Sequence, residues 1–376
     1  MRTSYDVIVV GAGSMGMSAG AHLAKRGVST LLIDAFDPPH QEGSHHGDTR
    51  LIRHAYHGGP AYINMAIRAH QLWNELEEEI GETLLVQSGV LNLSSPAVYS
   101  YETRLEESKS LGVPVEYLDA DEIHRRWPGV TVPEDYMALY EPQAGYLYSE
   151  RCISAYRRSA AEAGAELLVN TQVERLEVSL RGVSVYTAKG TFHAGQVILS
   201  AGAWFQTLEP FLSLNIQPVR KVVGWFQPTT TRFDAGRFPG FTLNTPEGGF
   251  YGFPSLNGAG LKIGRHDGGL PWNPGEPIAP FGSYEEDERD LRRALENYMP
   301  EAAGVLNRGL VCKYELTPDE DFIIDRHPVH SNVLIAGGFS GHGFKFASVV
   351  GEILSNLAVN GTSSQDIGLF SLDRFK

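Results

Sequence analysis

The sequence predicts a mixed α/β protein. A doubly wound nucleotide-binding domain is assembled from separated segments, and a largely antiparallel sheet domain is inserted between them. Three observations carry this expectation. A glycine fingerprint, Gly11-Ala-Gly13-Ser-Met-Gly16, follows an apolar run at residues 5–10. The middle of the chain is dominated by β-type runs punctuated by Pro and Gly. After Cys312, alternating strand and helix patterns return. At 376 residues the chain is also too long for one simple core.

Residues 5–10 are β-branched, apolar and bounded by glycine, as in a buried parallel strand. In residues 14–26, Met15, Ala19, Leu23 and Ala24 recur at helical spacing, and Gly27 is a stop signal. Residues 30–34 form the second expected strand, ending on the Asp34 carboxylate, and Asp37-Pro-Pro-His40 breaks any continuation. A long amphipathic helix is expected over 61–80, with Ala66, Ala69, Leu72, Trp73 and Leu76 on one face. Residues 82–93 and 215–263 read as strands, with turns at Asn244-Thr-Pro-Glu-Gly-Gly and Asn257-Gly-Ala-Gly. Between them, 150–164 reads as helix and 196–200 as a buried strand. Near the end, Phe322-Ile-Ile-Asp and Val333-Leu-Ile-Ala read as strands, and Gly337-Gly-Phe-Ser-Gly-His-Gly343 leads into a helix to about Leu357. The nucleotide domain is therefore expected from residues 1–84, 150–215 and 313–376, and the second domain from 85–149 and 216–312.

Composition bounds the partners. Hydrophobic content of 42% and charged content of 20% are those of an ordinary globule. The net charge of −14 argues against nucleic acid and anionic membrane surfaces as partners. Two cysteines, Cys152 and Cys312, fit a reducing compartment. No signal-peptide pattern and no long apolar run is present, so a cytoplasmic protein is expected. No metal site is expected.

The fingerprint identifies a Rossmann-type dinucleotide site by mechanism. Gly11 permits the tight turn, Gly13 admits the pyrophosphate, and Gly16 lets the helix pack close to the strand. Ser14 and Met15 open the helix, whose free N–H groups face phosphate. Asp34 is positioned to accept from a ribose hydroxyl. The motif does not distinguish FAD from NAD. Just beyond it, residues 43–54 pack three histidines and two arginines into twelve residues of an otherwise acidic chain. A cationic loop there meets either cofactor phosphates or an anionic substrate.

The motifs together resemble those of the monomeric sarcosine oxidase and N-methyltryptophan oxidase family. The match runs through Gly43-Ser-His-His-Gly-Asp-Thr-Arg50-Leu-Ile-Arg-His-Ala-Tyr56, Tyr251-Gly-Phe-Pro254 and Leu261-Lys-Ile-Gly264. It continues in Cys312-Lys-Tyr314, Asp319-Glu-Asp-Phe-Ile-Ile-Asp325 and Gly338-Phe-Ser-Gly-His-Gly-Phe-Lys345. The resemblance implies FAD joined through its 8α carbon to Cys312, whose thiolate Lys313 and Arg308 would favour. Cys152 is expected in the core.

The resemblance also assigns roles. Arg53 and Lys345 clamp a substrate carboxylate, because Arg offers a planar fork and Lys a second compact charge. Lys345 is expected in the first turn of a helix, where it opposes the dipole. His46 and Arg50 lie against the flavin ring, opposite the substrate, and Lys262 assists oxygen reduction. Tyr251 and His266 line the amine end. Ser44, Thr49, Gly341, Gly343 and His342 contact the cofactor, with N–H groups around His342 meeting the flavin pyrimidine. The implied reaction transfers a hydride equivalent from an N-methyl carbon to flavin. It yields the primary amino acid, formaldehyde and, after reoxidation by O2, hydrogen peroxide, in a monomer. Alternatives are an enzyme for bulkier N-methyltryptophan-like substrates, or a flavin or NAD dehydrogenase with a non-oxygen acceptor. Two departures bear on the substrate: Thr242 stands where sarcosine oxidases carry methionine, and His57-Gly58-Gly59 where a glutamate is usual.

Overall fold

Strand β1 (Ser4–Val10), helix α1 (Ser14–Lys25) and strand β2 (Thr30–Ile33) form the first βαβ unit, with β1 and β2 parallel and Val10 opposite Ile33. This computed structural model describes residues 2–376. On the other side of β1 lies the strand Gly190–Leu199, also parallel, with Val10 opposite Leu199. Next to it comes Val333–Gly337, and Glu166–Leu168 flanks β2, again parallel. This parallel core is covered on both faces, and the central segments 7–10, 31–33 and 197–199 are apolar and buried. One face packs on α1 and the helices Pro60–Ile80, Ser149–Glu162 and Ala347–Asn360, with Leu23, Trp73, Ile153 and Ile353 in the shared core. The other face buries Ile8, Val10, Leu31, Phe205 and Leu212.

Two glycines make the nucleotide turn possible. Gly11 has φ +91°, and a Cβ there would meet Ser200 O at 2.4 Å. A Cβ on Gly16 would lie 1.9 Å from Gly11 O, so only glycine lets α1 close on the turn. A Cβ on Gly13 meets nothing within 4 Å, leaving the backbone open to a ligand.

The second sheet has nine strands. In spatial order the main ones are Leu306–Leu316, Gln217–Phe226, Leu261–Arg265, Gly248–Phe253, Gly240–Thr245, Val90–Ser94, Met137–Glu141 and Glu116–Asp119. All neighbours in that series are antiparallel except Gly240–Thr245 with Val90–Ser94. The helix Glu286–Tyr298 covers this sheet with Leu291 and Leu295.

Several expectations need correction. The helices Glu286–Tyr298, Glu102–Ser110 and Ala120–Arg126 were not anticipated, because charged residues dominate each of them. The strand Ile323–Arg326 pairs antiparallel with Val333–Gly337 and is not part of the parallel core. The strand Leu306–Leu316 runs unbroken across the expected boundary at 312/313, since every residue to Leu316 pairs with Gln217–Phe226. A three-stranded sheet of Thr49–Ile52, Gly145–Tyr148 and Leu85–Val86 likewise joins segments expected in different domains. Cys152 is fully buried in the helical core, as expected. Among the described residues no helix is long and apolar enough to cross a membrane.

Candidate active site

Two cavities meet at the carboxyl ends of the parallel strands. The first, about 1200 Å³, is walled by Gly11, Gly13, Ser14 and Met15 of the fingerprint, by Asp34, Ser44 and Arg50, and by Gly341 and Gly343. The second, about 1080 Å³, is walled by Arg53, Thr242, Tyr251, His266, His342 and Lys345. Arg50, Tyr314, Gly341 and Phe344 line both, so one shared wall separates a nucleotide-type site from a cationic pocket.

The first cavity suits a dinucleotide. Asp34 is buried, with Oδ2 accepting from Ala12 N at 2.7 Å and Oδ1 from Phe36 N at 2.9 Å, which orients the carboxylate and leaves lone pairs for a hydroxyl. The N–H groups of Gly341 and Gly343 have no partner among the described residues. The N–H of His342 does: it donates to Phe339 O at 3.0 Å, so it is not free for a cofactor carbonyl. His342 instead turns its ring into the second cavity. Nε2 donates to Glu320 O at 3.0 Å, which leaves Nδ1 to accept from the Tyr56 hydroxyl at 2.7 Å. Burial drives its pKa well down, so the ring is neutral.

The loop 43–50 folds around Arg50, whose Nη2 donates to Ser44 O and His46 O and whose Nη1 donates to Thr49 O. Ser44 in turn donates to Lys313 O at 2.8 Å. His46 lies on neither cavity wall; its ring nitrogens face Gly43 O and Val311 O, and His45 takes the wall position. Thr49 is also off the wall. Its carbonyl and hydroxyl, with Gly47 O at 2.5 Å, hold the Lys262 ammonium. Lys262 is 2% exposed, lies 4.6 Å from the Phe253 ring centroid, and borders neither cavity directly. Burial pushes its pKa well down, and Arg50 adds to the depression.

Cys312 is buried opposite Lys221 in the second sheet, off both walls. Desolvation raises its thiol pKa, while Arg50, Lys262, Lys221 and Lys313 pull it back. Arg308 is not part of that field. It pairs with Asp48 and stacks on Trp225 at 3.8 Å.

The second cavity is built for an anion. Arg53 donates from Nη1 to Asn92 Oδ1 at 2.9 Å, while its buried Nε has no partner among the described residues. Lys345 is 5% exposed and sits in the 3-10 turn Phe344–Phe346 before the helix, correcting the first-turn expectation. Its ammonium donates to His342 O at 2.6 Å. Burial and then Arg53 depress it strongly, a depression that a bound carboxylate relieves. Tyr251 OH is 3.5 Å from Tyr314 OH, with its pKa raised by burial to about 12. His266 is lowered by burial to about 4 and is neutral. Thr242 donates to Asn92 Oδ1 at 2.9 Å.

Sequence reading missed Arg104, Asn92, Glu141 and Glu315. Arg104 sits on the helix Glu102–Ser110, whose composition shows no apolar face to mark it as buried. The other three are polar residues on strands, and only the tertiary fold reveals which way they face.

Glu315 lines the first cavity with Oε2 unpartnered. Burial lifts its pKa from 4.5 to about 7, against the pull of the Phe339 and Gly338 N–H groups. A folded-state pKa above the unfolded one favours the fold only while the carboxyl is protonated. The penalty thus grows between about pH 4.5 and 7 and is complete above it, at about 3 kcal/mol. We expect Glu315→Gln to stabilise cofactor-free protein against urea more at pH 8 than at pH 5. An equal difference at both pH values would show that Glu315 ionises normally.

The match to known proteins covers the whole architecture. Residues 6–357 match the family model described as FAD dependent oxidoreductase. The chain is 51% identical to the monomeric sarcosine oxidase of Bacillus sp. (strain B-0618), over 100% of this chain and 97% of that protein. It is 41% identical to the N-methyl-L-tryptophan oxidase of Yersinia pestis (strain Pestoides F), over 99% and 100%. The solved L-proline dehydrogenase of P. horikoshii superposes with a TM-score of 0.86 at 24% identity, covering 100% and 98%. A dinucleotide cavity behind a glycine turn, joined to a cationic pocket and matched along nearly the full chain, establishes that this protein belongs to the FAD-dependent oxidoreductase family.

Proposed function

We propose that this protein is an FAD-dependent amine oxidase that demethylates N-methyl amino acids, releasing the primary amino acid, formaldehyde and hydrogen peroxide. The observation that carries this reading is the Arg53–Lys345 pair in a cavity sharing its wall with the dinucleotide site. Neither Arg53 nor Lys345 has a carboxylate partner among the described residues, so both charges are available to a substrate carboxylate. When bound, FAD supplies the two-electron acceptor that takes the C–H electrons and passes them to oxygen. Gly11, Gly13, Asp34, Ser44, Gly341 and Gly343 are the residues that would hold it.

The protein contributes position and field. Arg53 and Lys345 anchor the carboxylate, which fixes the N-methyl group relative to the shared wall. The same cations raise the cost of an ammonium nearby. A unit charge about 6 Å away at an effective dielectric of about 20 costs about 3 kcal/mol, roughly two pKa units. The pocket thereby favours the neutral amine, the form that can donate electrons, without a dedicated base. Neutral His266 and un-ionised Tyr251 are compatible with this, since neither adds an anion to stabilise the ammonium.

Purified protein supplied with N-methyl amino acids should consume oxygen and form peroxide and formaldehyde in equal amounts, with no added partner. Flavin reduction by the same compounds without oxygen turnover would point to a dehydrogenase. Absence of flavin reduction by any of them would overturn the reading.

We further propose a covalent thioether from Cys312 to the flavin 8α carbon. Four neighbouring basic groups partly offset the burial that raises the Cys312 thiol, and so favour the thiolate that this bond requires. Acid precipitation of wild-type protein should leave the yellow colour in the pellet, and Cys312→Ser should lose it to the supernatant. Free flavin from the wild type would remove the linkage.

Lys262 supports oxygen reduction in this reading, because a desolvated, fixed cation stabilises charge arriving on oxygen. Lys262→Met should slow flavin reoxidation by about a hundredfold or more, yet change anaerobic reduction far less. Stopped-flow absorbance separates the two rates. A collapse of reduction with normal reoxidation would reassign Lys262 to amine oxidation.

A further inference from the structure

We propose that the preferred substrate carries a second acidic group, in the class of N-methyl aspartate or N-methyl glutamate, and that Arg104 receives it. The inference rests on the second cavity being the amino-acid site and names the side chain that this site selects.

Four basic side chains line that cavity: Arg53, Lys345, Arg104, and Arg50, which spends its donors on the carbonyls of its own loop. A carboxylate held by Arg53 and Lys345 leaves Arg104 without a ligand. Arg104 is 5% exposed, so its charge is not solvated by bulk water. Its Nε donates to Ala55 O, and its Nη2 reaches Glu141 Oε1 at 3.2 Å and Asn92 Oδ1 at 3.3 Å. Its Nη1 makes no hydrogen bond among the described residues and is not one of the solvent-shielded orphan atoms. Part of the guanidinium fork therefore faces the cavity with donors to spare.

Glu141 is the one carboxylate paired with Arg104 among the described residues, at 3.2 Å, and it is shared. Glu141 is spent on four donors: Arg104, Asn92, and the N–H groups of His54 and Ala55. Glu320 also borders the cavity, but its side chain is exposed at the rim and screened by water. The imidazoles of His57, His266 and His342 are uncharged at neutral pH. Basic side chains thus outnumber carboxylates around the pocket, and Arg50, Arg53 and Lys345 have no carboxylate partner among the described residues. Arg53 and Arg104 both donate to Asn92 Oδ1, which lets two carboxylates of one small molecule reach both forks. Thr242 donates to the same oxygen, so the wall between the arginines carries a short side chain.

The test compares near-isosteric acids and amides on the holoenzyme: N-methyl-L-aspartate against N-methyl-L-asparagine, and N-methyl-L-glutamate against N-methyl-L-glutamine, with sarcosine as reference. The acid of at least one pair should show a kcat/KM tenfold or more above its amide, expressed mainly in KM. In Arg104→Met that acid-to-amide ratio should fall to near one, and in Arg104→Lys it should stay above one. Should Arg104→Met fail to fold, displacement of substrate by succinate against succinamate in the wild type reads the same preference. Amides equal to or better than their acids would overturn the proposal while leaving N-methyl amino acid oxidation standing. An undiminished ratio in Arg104→Met would remove Arg104 from the site. Oxidation of none of the five compounds would overturn the underlying functional reading, and this proposal with it.

Discussion

The carboxylate of Glu141 is the constraint on which the pocket depends. It is 1% exposed at the end of the strand Met137–Glu141, and its two oxygens accept from two backbone N–H groups, an amide and a guanidinium. Those donors come from three parts of the chain: the turn carrying Arg53, the strand carrying Asn92 and the helix carrying Arg104. A buried charge with one partner removed costs roughly 3–5 kcal/mol, so the three elements are held at fixed distances from one another. Arg53 needs that support because it follows a short strand, Thr49–Ile52, whose partners belong to a small separate sheet.

A second consequence is electrostatic. The chain carries a net charge of −14, yet the charged groups around the second cavity are mostly basic. Low-dielectric walls concentrate that field toward an incoming anion. The histidines of the substrate pocket do not share in it, because burial lowers His57 to about 3 and His266 to about 4. The positive field is therefore set by arginine and lysine, with Lys345, depressed by burial and by Arg53, as its pH-sensitive member. On the cofactor side, Arg50 spends its fork on the carbonyls of its own loop, so the cation shapes the wall shared by both cavities.

Much of the frame was legible because it rests on local rules. The Gly11, Gly13 and Gly16 turn, the apolar β1 and the Asp34 terminus each carry a spacing that one structural solution satisfies. Arg53, Lys345, Tyr251 and His266 were picked out through motif resemblance, and they do line one cavity. Where local reasoning failed, the side chains obeyed distant partners. His46 and Thr49 turn away from the cavities toward carbonyls and Lys262, and the His342 N–H is claimed by Phe339.

The sequence by itself determined the dinucleotide unit, the α/β and antiparallel division, and the cationic character of the loop 43–54. These follow from periodicity, glycine geometry and charge, which act over a few residues. Only the tertiary structure decided that Arg104 and Glu315 are buried and which cavity each one faces. It also decided that the strand Leu306–Leu316 spans the expected domain boundary. A polar residue on a charged helix or an alternating strand carries no local mark of burial. Its environment is set by the elements that pack on it from elsewhere in the chain.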